Sequence, residues 1–453
     1  MILWNKLKAN MMRYRWATVE EGEAVMTYEQ LCAFAERFGE RLTESCYGIL
    51  CRSEMAAAMA LLACVAAGKT AVPMPSRYGK ESYLSILDRA DPPCVITDCC
   101  GELTILPMEP KEEPVFSHPS PAVILFTSGS TGVSKGVMLS EENLLTNLRD
   151  ISSYFPVTEK DTVLISRPIY HSSVLTGELF TALLHGCRIV FSSEAFQPSG
   201  MLRLMREKGV TVFGTTPTLA ATLARFCHGG VEGVRLLSIS GERMTDGVAG
   251  RIRGAFPNAA VYCGYGLSEA SPRVAYLPPE LFDTDPTCTG VALPSVRVRV
   301  VRPDGLDCER GEVGEVLVKG ASVMRGYLGD PERTARVIRK GWLHTGDLGY
   351  IGKNGRLYIQ GRADDMIIRA GMNSYPAEIE NALSADERVE ELAVYGYEEG
   401  GTQQIGLKIK GRFSSVEEVA RLCRACLPAY QIPSRVELVN EFPRTASGKQ
   451  RKP

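Results

Sequence analysis

The sequence predicts an α/β protein in which parallel sheets are covered by helices. A small β-rich unit and a compact α+β unit follow toward the C-terminus. Three observations lead to this reading. Short apolar runs alternate with amphipathic stretches from about Met26 to Glu269. After about Gly290 the pattern turns to short strands and frequent turn residues. After Arg362 comes a run of helix, strand, strand, helix and strand.

In chain order, Thr27 to Leu42 reads as an amphipathic helix opened by a polar residue. Met55 to Gly68 is Ala-rich and apolar, too short to span a bilayer, and reads as a buried helix. Ala71–Pro75, Cys94–Thr97 and Ala122–Phe126 read as buried strands, the last entering a loop of Gly, Ser and Thr. Further strands are expected at Thr162–Ser166, Arg188–Phe191, Thr211–Gly214, Leu236–Ser240 and Ala260–Cys263. Val296–Val301 and Gly314–Lys319 open the β-rich stretch, and Val416–Leu427 reads as helix. A domain boundary is expected at about Arg362–Asp365, dividing the chain into 1–362 and 363–453, with the β-rich part at about 290–360.

Composition narrows the function classes. The 453 residues are 45% hydrophobic and 23% charged, ordinary for globular domains. The 51 basic and 53 acidic residues give a net charge of −2 without a like-charged block, which speaks against a nucleic-acid or membrane surface. No secretory signal opens the chain, so a cytoplasmic location is expected. The 14 cysteines are too sparse for a disulfide scaffold, and the Cys423–Cys426 pair has no second pair at zinc-finger spacing. The five histidines form no HExxH cluster, so a catalytic zinc is not expected.

The most informative stretch is Leu125-Phe-Thr-Ser-Gly-Ser-Thr-Gly-Val-Ser-Lys-Gly136. A strand runs into glycines, hydroxyls and one lysine. Glycines let backbone N–H groups approach an anion, hydroxyls add donors, and lysine adds charge. Ser134 and Gly136 stand where a Walker A loop needs Gly and Ser or Thr, so P-loop kinases and GTPases are disfavoured. Four more motifs follow: Tyr265-Gly-Leu-Ser-Glu269, His344-Thr-Gly-Asp347, Gly361-Arg-Ala-Asp-Asp-Met-Ile-Ile368 and Pro443-Arg-Thr-Ala-Ser-Gly-Lys449. Together and in this order they resemble the signatures of the adenylate-forming enzymes: acyl- and aryl-CoA synthetases, peptide-synthetase adenylation domains and luciferase. The likeness spans about Phe126 to Lys449, with Ser268 where the family more often has Thr.

The resemblance implies two helix-covered sheets in a large N-terminal domain and a mobile C-terminal lid. It implies attack of a carboxylate on the α-phosphorus of ATP, release of pyrophosphate, and displacement of AMP by a thiol. Thr127, Ser128, Gly129, Ser130, Thr131, Gly132 and Lys135 would hold the β- and γ-phosphates. Glu269 would bind Mg²⁺ and Ser268 would donate to the α-phosphate. Tyr265, with Gly266 beside it, would stack near adenine, and Gly241 and Glu242 would pass along the adenine and the acid. Asp347 would accept the ribose hydroxyls, assisted by Arg362. Lys449 would bridge the carboxylate and the α-phosphate, and Asp364 stands at the family's hinge, ahead of a thiol-transfer loop near Gly371.

His171 stands where amino-acid-activating members usually carry an Asp for the substrate ammonium, which favours an acyl or aryl acid. The thiol is CoA or the phosphopantetheine of a carrier protein; the chain has no attached carrier domain, so the acceptor is expected on a separate molecule. A stand-alone amino-acid-activating enzyme that loads a carrier protein is the alternative, and a non-catalytic nucleotide-binding protein is a third reading. Retention of Lys449, Asp347 and Glu269 together speaks against the third.

Overall fold

The computed structural model describes residues 1–76, 80–99, 101–109, 121–127, 134–193, 196–227, 229–369, 372–399 and 402–443. The body is built on two large sheets. The first runs Val291–Ala292, Arg273–Leu277, Ala260–Gly266, Leu236–Ser240, Val212–Thr215, Thr162–Ile165, Arg188–Phe191, Thr18–Glu21 and Ala24–Thr27. The strands from Ala260–Gly266 to Thr18–Glu21 are parallel, and those outside them are antiparallel. The second sheet runs Gly326–Tyr327, Lys135–Leu139, Val123–Thr127, Thr70–Pro73, Cys46–Ile49, Cys94–Cys99 and Glu102–Pro107. Its centre is parallel and its edges antiparallel. The expected parallel sheets form the centres, and antiparallel strands are added at the rims. Two of the rim pairs, Thr18–Glu21 with Ala24–Thr27 and Cys94–Cys99 with Glu102–Pro107, are tight hairpins, which only antiparallel pairing permits.

Local chemistry sets the helices. Thr27 caps Tyr28–Gly39 in a reciprocal pair with Gln30. Ser53 caps the Ala-rich helix Glu54–Ala66, which is buried almost all round. A helix at Ile2–Arg13 was not read from the sequence; it buries Leu3, Leu7 and Met11 at four-residue spacing. One continuous core joins these helices to the facing sides of both sheets.

The β-rich unit is an antiparallel sheet of Val296–Val301, Gly314–Gly320, Trp342–Ile351 and Ile338–Arg339, with Leu357–Arg362 paired to Trp342–Ile351. After the short turn Ala363–Asp365 the chain forms a hairpin, Ile367–Arg369 with Met372–Ser374, which the sequence reading did not foresee. Helix Pro376–Ser384, strands Val389–Glu399 and Thr402–Gly411, helix Val416–Cys426 and strand Arg435–Leu438 complete a unit with its own apolar core. Among the described residues several polar groups join this C-terminal unit to the body. Asp246 and Asn381 exchange two hydrogen bonds of 3.2 Å, Arg251 donates to the Val389 carbonyl at 3.2 Å, and Arg225 pairs with Glu390 at 3.0 Å. At Gly247 a Cβ would lie 2.0 Å from the Ser384 carbonyl oxygen, so the two helices approach where no side chain intervenes.

Among the described residues no helix is long and apolar enough to cross a membrane. The described cysteines are all free, with Cys423 buried and Cys426 exposed.

Candidate active site

A cavity of about 560 Å³ opens between the body and the C-terminal unit. It gathers residues from far apart in sequence: Gly241, Glu242, Tyr265, Gly266, Asp347 and Arg362 all line it. Gly241 ends the strand Leu236–Ser240 at φ 94°, a left-handed conformation that glycine adopts freely. Gly266 is needed for a different reason: a Cβ there would lie 1.9 Å from the Pro272 carbonyl oxygen across the hairpin.

Asp347 and Arg362 face each other across paired strands. Arg362 Nη1 donates to Asp347 Oδ1 at 3.0 Å and to the Thr345 carbonyl at 2.6 Å. The Tyr265 hydroxyl donates to Asp347 Oδ2 at 2.5 Å. The carboxylate is thus fixed at both oxygens, and each keeps a lone pair for an incoming hydroxyl. Burial pushes the Asp347 carboxyl up, against the opposing pull of Tyr265 and Arg362. Burial and the neighbouring Asp347 push the Tyr265 phenol far up, so it stays a donor. Glu242 does double duty: its Oε2 accepts from the Thr218 backbone N–H at 3.0 Å, while its buried Oε1 has no partner among the described residues.

The second cluster lies toward the expected phosphate loop. Strands Val123–Thr127 and Lys135–Leu139 pair with Thr127 opposite Lys135. Ser128, Gly129, Ser130, Thr131 and Gly132 fall outside the described residues, as do Gly371 and Lys449. Lys135 Nζ lies 5.7 Å from the centre of the Tyr327 ring, and the Tyr327 hydroxyl donates to Glu269 Oε1 at 2.8 Å. Burial pushes the Lys135 ammonium down, as does the nearby Arg333. Tyr327 therefore joins two motifs that sequence alone kept separate. Its signal was faint: a Gly-Tyr pair on a two-residue edge strand. Ser268 begins a short 3₁₀ turn, and its hydroxyl lies 3.0 Å from that of Ser172. His171 stands immediately before the short helix Ser172–Val174, with its ring 4.2 Å from that of Tyr170. Ser172 was not singled out from the sequence, although it adjoins His171. Asp364 is exposed, with Oδ2 4.0 Å from Arg362 Nη2.

The donor set suits ATP and magnesium. A two-oxygen acceptor, an aromatic ring and glycine-cleared walls suit a nucleoside. Among the described residues no three His, Cys, Asp or Glu side chains cluster as a ready-made metal cage. Glu269 is the carboxylate that would hold a magnesium ion together with phosphate oxygens and water.

Residues 7–328 match the AMP-binding enzyme family and residues 378–449 match the AMP-binding enzyme C-terminal domain. The chain belongs to this family, and it is an ATP-dependent, AMP-forming acid–thiol ligase. It is 32% identical over 358 residues to a feruloyl-CoA synthase of an Amycolatopsis species, covering 77% of this chain and 72% of that one. It is 28% identical over 471 residues to the 2-succinylbenzoate–CoA ligase of Bacillus subtilis, covering 98% and 96%. The solved structure of the B. subtilis O-succinylbenzoate CoA synthetase with ATP and magnesium superposes with a TM-score of 0.83 at 27% identity, over 99% of this chain and 98% of that one. ATP-bound MatB of Rhodopseudomonas palustris gives 0.86 at 25% identity, over 98% and 96%.

Proposed function

We propose that this chain activates an acyl or aryl carboxylic acid as its adenylate and passes the acyl group to CoA, in the cytoplasm. The observation that carries the reading is the convergence on one cavity of Asp347, fixed by Tyr265 and Arg362, with the walls at Gly241, Glu242 and Gly266. A carboxylate with pKa near 4 is already ionised at neutral pH, so the first step needs no general base. What it needs is two anions held in line and charge stabilised at the α-phosphate. In this reading Asp347 and Arg362 hold the ribose, Tyr265 lies against adenine, and Gly241 and Glu242 follow the adenine and acid. Ser268 and the loop from Thr127 to Lys135 hold the phosphates. Glu269 supports magnesium, which neutralises phosphate charge. Lys449 bridges the acid and the α-phosphate, and Asp364 is the hinge about which residues 363–453 turn. Support for a CoA acceptor and an aryl acid comes from the relatives, named for feruloyl and succinylbenzoyl thioesters.

The test is pyrophosphate release with ATP across a panel of acyl, aryl and amino acids, followed by addition of CoA or a phosphopantetheinylated carrier protein. Release with acyl or aryl acids and thioester formation with CoA are expected. Release with α-amino acids alone, or transfer only to the carrier, would sink the reading.

A further inference from the structure

Two buried asparagines stand where a core helix would ordinarily carry apolar side chains. The helix Glu141–Tyr154 follows directly on the strand Lys135–Leu139. Its buried face holds Leu144, Leu148 and Ile151 together with Asn143 and Asn147. Asn143 is 7% exposed and Asn147 is fully buried. A buried amide is costly unless its hydrogen bonds are made, so its partners define its role.

The Asn143 amide faces two ways. Its Oδ1 accepts from the Ser140 backbone N–H at 2.8 Å, which closes the helix cap. Its Nδ2 donates to the Ala321 and Val323 carbonyls, both at 2.8 Å, 178 and 180 positions along the chain. The segment clasped in this way is the one that holds Glu269. The Ser322 carbonyl, between the two that Asn143 binds, accepts from the Ser271 hydroxyl at 2.7 Å. The Met324 N–H donates to the Glu269 carbonyl at 2.8 Å, and the Tyr327 hydroxyl donates to the Glu269 carboxylate at 2.8 Å.

Asn147, one turn along the helix, grips the far end of the same turn. Its Nδ2 donates to the Arg273 carbonyl at 2.8 Å, and its Oδ1 accepts from the Arg273 N–H at 3.3 Å. Between these two anchors the chain is under strain. Ser271 is fully buried and takes a left-handed φ of 71°, a conformation that persists in a residue with a side chain only where the surroundings impose it. One helix, joined through Ser140 to the strand that begins at Lys135, thus fixes the Ser268–Glu269 turn from both sides.

We infer that Asn143 is a positioning residue for acid activation: by clasping residues 321–323 it sets where the Glu269 carboxylate stands relative to Lys135, and so how firmly a magnesium ion on the polyphosphate is held. The inference rests on the reading of Glu269 and Lys135 given above. Asn143 acts through Glu269 and takes no part in the chemistry.

The test is calorimetric binding of ATP to the full chain at varied Mg²⁺, without an acid, so that no reaction runs. Asn143→Ala removes both clasping donors. Asn143→Asp keeps the oxygen that caps the helix and puts an acceptor where the donors were. Both are expected to raise the Mg²⁺ concentration that half-saturates ATP binding by about tenfold, the lower end of the range for groups that support a metal ligand. Adenosine, which in this reading meets Asp347 and Tyr265 but not Glu269, binds as in the wild type. Ser140→Ala weakens the helix cap and leaves the clasp, so it lowers the melting temperature without moving the magnesium response. Should neither Asn143 variant fold, Ser271→Ala, which deletes one hydroxyl from the strap, gives a smaller shift in the same direction. An unchanged magnesium response in these variants, or an equal one in Ser140→Ala, would overturn the inference while leaving acid activation standing. ATP binding that ignores magnesium in the wild type would remove the reading of Glu269 itself, and this inference with it.

Discussion

Asp347→Asn removes charge with almost no change in shape. In the wild type two donors, the Tyr265 hydroxyl at 2.5 Å and Arg362 Nη1 at 3.0 Å, each have a carboxylate oxygen. An amide offers one oxygen for the same two donors, and its NH₂ must face one of them. If it faces Arg362, donor meets donor. If it faces Tyr265, the phenol must turn and give up its acceptor. One charge-assisted bond is lost in either case, about 1.5–3 kcal/mol. Arg362 is 47% exposed, so solvent blunts its share. The ribose loses an ionised acceptor as well. The sum is about 2–4 kcal/mol in kcat/KM for ATP, or roughly 30- to 900-fold. The assay is initial-rate pyrophosphate release at varied ATP, with thermal melting to show an intact fold. Tyr265→Phe, which removes only one donor, should cost about tenfold, and the double variant less than the sum, because the two share one carboxylate. A melting-competent Asp347→Asn enzyme within threefold of wild type for ATP would refute the assignment of the ribose site.

Three further outcomes follow from the geometry. Glu269→Gln leaves a weaker acceptor for Tyr327 and no charge for magnesium, so the Mg²⁺ concentration for half-maximal rate rises about tenfold or more at saturating ATP; an unchanged magnesium titration contradicts the role. Lys449→Ala abolishes pyrophosphate release but spares thioester formation from supplied acyl-adenylate, and equal loss of both half-reactions argues against the bridge. Asp161 is a structural case. Burial alone raises its carboxyl, but Arg235, Thr158 and Thr211 outweigh that and hold it below the ordinary value. Its contribution is therefore present above about pH 4 and lost as pH falls through the lowered folded value. Asp161→Asn should cost about 2–3 kcal/mol in urea unfolding at pH 7, after allowance for the 43% exposed Arg235, and flatten the acid side of the stability profile. A stability loss undiminished at pH 3 contradicts the pairing.

What the sequence disclosed follows the chemistry. A loop that would hold phosphates must be glycine- and hydroxyl-rich in one continuous segment, so Thr127 to Lys135 stands out in the sequence as a candidate. The same holds for Asp347 beside Gly346, and for strands whose apolar runs are unbroken, such as Arg188–Phe191. Tyr327, Ser172 and Asn143 were not, because their meaning comes from partners 58, 96 and 178 positions away. A tyrosine on a two-residue edge strand carries no local sign that it will reach Glu269. The strand Arg273–Leu277 was missed for a related reason: its pairing with Ala260–Gly266 contains a register shift at Tyr265 and Gly266, where the site residues sit. The helix Ile2–Arg13 had its signal in Leu3, Leu7 and Met11, diluted by polar neighbours.

The narrow contact at Gly247 and Ser384 has a kinetic meaning. Two exposed hydrogen bonds between Asp246 and Asn381, a part-buried one from Arg251 and a partly exposed pair at Arg225 are weak interactions, about 0.5 kcal/mol each. Together they favour the fastened arrangement by about 2 kcal/mol, roughly thirtyfold. A ligand that prefers the parted form by only a hundredfold inverts that balance. A side chain at residue 247 would hold the two helices apart; its omission lets them close on each other, and the proposed turning of residues 363–453 would have only this light latch to undo.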